Sequence, residues 1–214
     1  MKTLIDNKTY YDNFAKNYEN ERNKGYHKMI DDIEISILRK YLKENDSVLE
    51  VGCGTGLILS KVVKFVVNGI GIDISENMLK IAKNKGLNVF YGNGEEIPFS
   101  DNQFDVVYSF KVLPHIKNIE NVLNEIKRVT KPNGIILLEF YNKYSIRTLI
   151  KFIKKPQKIS ENINDTLVFT RFDSLFDIKR ILPKEFKIIS TKGVRVISPF
   201  YFVYKIPFIK TIFH

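Results

Sequence analysis

Apolar residues recur along this chain with two periods, and the change of period locates its elements. Between Lys8 and Asn20, Tyr11, Phe14, Ala15 and Tyr18 stand three, four and seven apart, the spacing of one helical face. A second stripe, Ile30, Ile33, Ile37, Leu38, Tyr41 and Leu42, predicts another amphipathic helix ending near Asn45. From Ser47 onward, short apolar runs alternate with helical stretches: Ser47 to Val51, a glycine loop, a helix from Leu57, then Val66 to Ile72. Ser75 as N-cap, with Glu76 in the first turn, opens a helix that carries Met78, Leu79, Ile81 and Ala82 and stops before Gly86. Leu87 to Tyr91, Phe104 to Ser109 and Gly134 to Tyr141 read as further strands. A helix through Ile119 to Thr130 and a Pro132-Asn133-Gly134 turn precede the last of them.

Strands alternating with helices of this length imply an α/β fold, a mostly parallel sheet covered on both faces. Ligands of such sheets bind outside the carboxyl ends of the strands, at the switch point. Beyond Tyr141 the regularity weakens. Asn142 to Asn164 reads as a basic helix plus loop, Asp173 to Leu182 as a helix and Phe186 to Thr191 as a strand. Without an internal repeat or a low-complexity linker, the 214 residues are expected to form one domain. Its parts would be N-terminal helices over 1–46, a core over 47–141 and a basic region over 142–214.

Charge changes this picture in the last part only. Lys and Arg balance Asp and Glu over residues 1–140, so the formal net charge of +10 comes from the final third. Such a surface suits anionic partners, or it is a solvated basic face. Hydrophobic residues at 44% and charged residues at 27% are ordinary for a globular protein and unlike a disordered one. The single cysteine precludes an internal disulfide and the start of the chain lacks an apolar leader, so a reducing, cytoplasmic setting is expected. No run of about 18 apolar residues suggests a spanning helix. The dense apolar stretch Ser198 to Phe213 reads as core or lid, with peripheral contact to an anionic membrane as the alternative.

Chemistry concentrates at Val48-Leu49-Glu50-Val51-Gly52-Cys53-Gly54-Thr55-Gly56, an apolar strand with an acid near its end and three glycines opening a helix. Asp73, twenty-one residues after Gly52, closes the next strand, where a carboxylate can accept both ribose hydroxyls of an adenosine nucleoside. A nicotinamide dinucleotide site uses G-x-G-x-x-G to bring a helix N-terminus to a pyrophosphate. Here the third glycine comes one residue early, at Gly56, and Glu50 would repel a pyrophosphate while suiting a ligand with an amino group. Both departures favour S-adenosylmethionine (SAM) over NAD.

Taken in order, Val48 to Gly56, Gly71 to Leu79, Tyr91 to Phe99, Phe104 to Ser109 and Leu123 to Glu139 resemble the successive motifs of class I SAM-dependent methyltransferases. The branch with the ubiquinone and menaquinone C-methyltransferases is the most similar. The resemblance implies a Rossmann-like sheet of seven strands, one late strand antiparallel and the last one missing or irregular unless Val194 to Ser198 supplies it. It also implies that Gly52, Gly54 and Gly56 border the methionine part of SAM, with Glu50 near its amino group. Asp73 would hold the ribose, and Ile74 and Met78 would pack on the adenine. Gly92-Asn93-Gly94-Glu95 stands where the family shows glycine then Asp, so Asn93 would accept from the adenine amino group through its amide oxygen, beside Gly94. Phe110 and Tyr18 are further candidates for the methionine end.

A sulfonium methyl is already activated, so the protein needs mainly to align it with an acceptor. If a base is needed, His115, just past the fourth strand, is the candidate, with Tyr18 as a second catalytic candidate. His27 and His214 have no acidic or cysteine partners at ligand spacing, so no metal site is expected. Cys53 reads as a small spacer. A catalytic cysteine for pyrimidine attack and the Pro-Pro-aromatic motif of base methylation are both missing, the latter replaced by Asp105-Val106-Val107-Tyr108. The expected acceptor is a small molecule, hydrophobic or anionic, such as a quinone or lipid, with nucleic acid disfavoured. A SAM-binding module without catalysis and an RNA or protein methyltransferase remain alternatives.

Overall fold

A computed structural model of the chain describes residues 5–22, 25–145, 148, 158–160, 163–164 and 167–194. Its N-terminal stripes form α1 (Asn7–Arg22) and α2 (Gly25–Arg39). The alternating segment then yields β1 (Ser47–Val51), α3 (Leu59–Val62), β2 (Asn68–Asp73), α4 (Glu76–Asn84), β3 (Val89–Tyr91) and β4 (Phe104–Ser109). After a 3₁₀ turn at Leu113–His115 come α5 (Ile119–Val129) and β5 (Thr130–Leu138). The five strands are parallel in the order β3-β2-β1-β4-β5. That order reverses between β1 and β4, so the switch point opens beyond Val51 and Ser109.

Side chains of β1 alternate between two cores. Leu49 and Val51 join Ile72, Val107, Leu123 and Ile126 under α5, whereas Val48 joins Leu38, Val62, Val106 and Tyr108 under α2 and α3. Glu50 shares the second face, and that puts a carboxylate inside an apolar layer beside Tyr108. Ser75 caps α4 by accepting the Met78 N–H, as its position before Glu76 predicts.

Several expectations are corrected. Pro132-Asn133-Gly134 does not precede the last core strand but bulges within it, between the pairs Phe104 with Thr130 and Val106 with Ile135, and Asn133 takes a φ of 62°. Phe186 to Thr191 is irregular, with Ile189 63% exposed: it borders the same cavity as the edge strand β5 but pairs with no strand. Within Asn142 to Asn164, β6 (Lys158–Ser160) and β7 (Ile163–Asn164) form a small antiparallel pair apart from the main sheet. The helix read over Asp173 to Leu182 is α6 (Leu175–Ile181), opened by a Ser174 and Asp177 capping box. Of the seven strands implied, the main sheet holds five among the described residues. The apolar stretch Ser198 to Phe213, read as core or lid, lies outside the described residues, as does the last strand read over Val194 to Ser198 apart from Val194 itself.

Candidate functional site

The glycine loop is held by the strand beside it. The N–H groups of Gly52 and Cys53 both donate to Ile72 O, at 2.8 and 2.9 Å, and Gly54 N donates to Asp73 Oδ2 at 2.8 Å. Gly52, Gly54 and Gly56 all have positive φ, at 79°, 52° and 75°. Their surroundings differ. A Cβ on Gly52 would stand 2.2 Å from a Val112 methyl, and one on Gly56 2.2 Å from Leu87, so these two permit close packing. A Cβ on Gly54 would meet nothing within 4 Å, so the loop faces open space there.

Two carboxylates flank that space. Glu50 is 3% exposed and its Oε2 accepts the Tyr108 hydroxyl at 2.9 Å. Burial pushes Glu50 up to about 8, against the opposing pull of Tyr108 and Lys111. Burial raises Asp73 as well, opposed by the N–H groups of Ser75 and Gly54 on its two oxygens. The Cys53 thiol is pushed up by burial among Leu59, Leu79 and Ala82, which keeps it neutral and suits a spacer. Thr55 Oγ1, buried in the same loop, has no hydrogen-bond partner among the described residues.

Helix α1 is tied across this end of the sheet. Asp12 Oδ1 accepts from Ser75 Oγ at 2.6 Å and from Asn77 N at 3.2 Å, and Lys85 bonds both Glu19 and Thr55 O. Tyr11 and Tyr18 thereby come close enough to Asp73 for its charge to raise their phenols, though burial is the larger cause. Burial pushes Tyr18 up to about 12, and its hydroxyl accepts from Arg22 Nη1 at 3.2 Å. The phenol is therefore a neutral group at physiological pH.

His115 stands in the 3₁₀ turn after β4, against Tyr11 of α1. Its Nδ1 lies 2.9 Å from Phe169 O, and because a carbonyl only accepts, Nδ1 carries the proton of the neutral ring and Nε2 is its basic nitrogen. Tyr11 and Tyr141 pack edge-on against it, with centroids at 6.2 and 5.9 Å.

The remaining expected residues divide. Ile74 is half-buried beside Asp73, whereas Met78 is 1% exposed beneath it. Asn93 is exposed and its amide oxygen accepts the Glu95 N–H at 3.0 Å, so it first braces its own turn. Gly94 lies against Val122 and Val51, where a Cβ would stand 3.4 Å from each. Phe110 packs on Tyr108 and lines a cavity of about 1030 Å³ along β5, which Ile37, Tyr41, Leu138, Tyr141 and Phe172 also border. Sequence reasoning missed Asp12, whose partners Ser75 and Asn77 lie more than sixty residues away. It also missed a cluster of Arg22, Asp31, Glu34 and Lys111, whose acids sit among helix positions that read as exposed. Among the described residues no group of three His, Cys, Asp or Glu side chains could hold a metal ion, and no helix is long and apolar enough to cross a membrane.

Comparison with known proteins agrees with this geometry. Residues 49–138 match the methyltransferase domain family. An uncharacterized protein of Methanocaldococcus jannaschii is 34% identical over 92% of this chain and 84% of its own. A demethylmenaquinone methyltransferase of Oceanobacillus iheyensis is 33% identical over 56% of this chain, which spans 61% of that enzyme. In fold, the chain is similar to a SAM-dependent methyltransferase of Thermotoga maritima described as a possible histamine N-methyltransferase. The TM-score is 0.63 at 21% identity, covering 81% of this chain and 78% of that one.

Proposed function

The chain belongs to the class I SAM-dependent methyltransferases, and on that premise we propose that it methylates a small molecule with an apolar body, seated in the cavity along β5. The observation that carries this is the pair of strand-end carboxylates, Glu50 and Asp73, on either side of a glycine loop whose middle residue faces open space. Those groups fit SAM: each Asp73 oxygen has one backbone donor and retains capacity for a ribose hydroxyl, and a buried Glu50 matches an amino-acid ammonium. Gly52, Gly54 and Gly56 border the methionine part, with Tyr18 above it and Phe110 toward the acceptor. Ile74, Asn93 and Gly94 border the adenine, with Met78 packed beneath Ile74.

SAM supplies a methyl group activated by its sulfonium. The protein's own part is to align and enclose. Helix α1, anchored through Asp12, covers the donor with Tyr11 and Tyr18 and keeps water from the reacting end. His115, which adjoins the cavity through Tyr141 rather than lining it, is the candidate to take a proton from the acceptor at Nε2, with Nδ1 directed at Phe169 O. The apolar lining from Ile37, Leu138 and Phe172 favours a hydrophobic acceptor body, and the demethylmenaquinone methyltransferase relative supports a quinone-like size.

Calorimetric titration with SAM, S-adenosylhomocysteine and NAD tests the donor. Labelled SAM incubated with a cell extract tests the acceptor, with label expected in the low-molecular-weight organic fraction. Binding of NAD without SAM would overturn the donor assignment, and label in RNA or protein alone would overturn the small-molecule acceptor.

A further inference from the structure

The charge excess of the final third and its exposed apolar residues meet on one surface. Helix α6 has four apolar residues among its seven, yet none of the seven is buried. Leu175, Ile178 and Leu182 share the stripe that borders the cavity along β5, which leaves Phe176 and Arg180 on the outer face, one turn apart. Phe176 is 69% exposed and carries the Arg180 guanidinium over its ring, 5.8 Å from the centroid. The segment after β5 runs beside the start of α6, because Lys143 N donates to Asp173 O at 3.1 Å and Asp173 N to Tyr141 O at 2.8 Å. It brings a second such pair: Tyr144, 76% exposed, with the Lys143 ammonium 5.8 Å from its centroid. Asp177 stands near both pairs, since its hydrogen bonds from Ser174 and then the charges of Lys143 and Arg180 hold its carboxyl below the usual range.

The surface is basic as well as apolar. Over residues 167–194 the three acids are committed, Asp173 to Arg171, Asp177 to the α6 capping box and Glu185 to Lys127. Around them Lys179, Arg180, Lys184, Lys187 and Lys192 are exposed. Leu175, Ile188 and Ile189 add exposed aliphatic side chains, and because all three also line the cavity, they mark its mouth. Rings with cations beside them, aliphatic side chains and a surplus of Lys and Arg suit an anionic lipid surface, which takes apolar groups below its headgroups and cations among them. Nucleic acid fits less well, since Leu175, Ile188 and Ile189 gain nothing from phosphates or stacked bases. A second copy on the same face would set cations against cations.

We infer that the protein docks through this face on an anionic membrane, with Tyr144, Phe176 and Ile189 entering below the headgroups and Lys143, Lys179 and Arg180 among them. The mouth of the cavity then opens onto the lipid, from which an apolar acceptor enters without crossing water. That last step rests on the cavity being the acceptor site, whereas the docking does not.

Vesicles of phosphatidylcholine alone, and vesicles with about 30 mol% phosphatidylglycerol, are sedimented with the protein. Binding is expected to be about tenfold tighter on the anionic vesicles and to fall severalfold as NaCl rises from about 0.1 to about 0.5 M. Tyr144→Ser with Phe176→Ser, and separately Lys179→Glu with Arg180→Glu, should each weaken it about tenfold. Val67→Ser, exposed at the opposite end of the sheet from Asp73, should change nothing. SAM affinity within twofold of the parent shows that each variant folds. No vesicle binding, equal binding to neutral vesicles, or binding that either double variant retains in full would each overturn the inference. So would tighter binding of a single-stranded RNA through the same residues, or a dimer that the Tyr144→Ser, Phe176→Ser protein loses. No vesicle binding together with a lowered Tm in that variant would show that the chain itself covers the face. Normal SAM binding without vesicle binding defeats this inference alone. Vesicle binding by a protein whose methylated product stays in water defeats the apolar-acceptor reading alone.

Discussion

The Asp73 carboxylate accepts the Gly54 N–H at 2.8 Å, so the acid that ends β2 also holds the loop that leaves β1. Its other oxygen accepts from Ser75 N at 2.8 Å, and one side chain thereby positions both the loop and the N-cap of α4. Asp73→Asn keeps one acceptor and sets an amide N–H₂ against the second backbone N–H. Loss of a charged acceptor facing two hydroxyls should weaken SAM binding roughly tenfold to a hundredfold, about 1.4–3 kcal/mol. Calorimetry with the variant checks this, and an unchanged affinity would place the ribose elsewhere.

Glu50 predicts a pH dependence in the protein without SAM. Its folded-state pKa, about 8, lies above its ordinary 4.5, and that of Glu34, about 7, is raised too. Raised acids bind a proton more tightly in the folded than in the unfolded state. Their stabilising contribution is complete below about pH 4.5 and is lost as pH rises through 7 and 8, at up to about 1.4 kcal/mol per pH unit for each group. Thermal unfolding should therefore show Tm falling from pH 6 to pH 8.5, and Glu50→Gln should flatten that fall. The same variant should bind SAM at least tenfold more weakly, because a neutral amide replaces the partner of its ammonium. A slope unchanged by Glu50→Gln would show that the carboxylate is not the titrating group.

Glu50, Gly52, Gly54, Gly56 and Asp73 were legible because local geometry dictates them: a strand of period two, a reversal needing positive φ, and an acid at the next strand's end. The partners of the site were not. Asp12 lies on the polar side of an aromatic stripe, and nothing in its neighbourhood announces that it accepts from Ser75 and Asn77. Asp31 and Glu34 share α2 with Ile30 and Leu38, and their burial depends on Lys111 arriving from β4. Pro132-Asn133-Gly134 carries the residues of a turn, and tertiary pairing with β4 on both sides turned it into a bulge. Phe186 to Thr191 has a strand's composition without a strand's partner.

The hydrogen bond between His115 Nδ1 and Phe169 O fixes a tautomer that can be observed directly. The ¹⁵N shifts of His115 in the neutral ring should report a protonated Nδ1 and an unprotonated Nε2. With the acceptor in hand, His115→Gln should lower kcat about a hundredfold while SAM affinity changes little, the magnitude usual for a general base. The opposite tautomer, or a loss confined to SAM affinity, would remove His115 from proton transfer.

Gly52 and Gly54 share a sequence pattern, and the structure predicts that they fail differently when changed to alanine. Both have positive φ, so each substitution carries some backbone strain, on the order of 1 kcal/mol. At Gly52 the new methyl also stands 2.2 Å from Val112, and Gly52 N anchors the loop on Ile72 O, so Gly52→Ala must shift the 3₁₀ turn that carries His115. It should unfold at a lower temperature by several degrees. At Gly54 the methyl meets no protein atom within 4 Å, so Gly54→Ala should lose only about 2–4 °C of Tm, the cost of the backbone strain. The space it enters is the space assigned to SAM, and its SAM affinity should fall at least tenfold. The discriminating measurement is thus a pair, Tm without ligand and Kd for SAM, made on each variant. A Gly54→Ala protein that folds normally and binds SAM normally would move the donor off this loop.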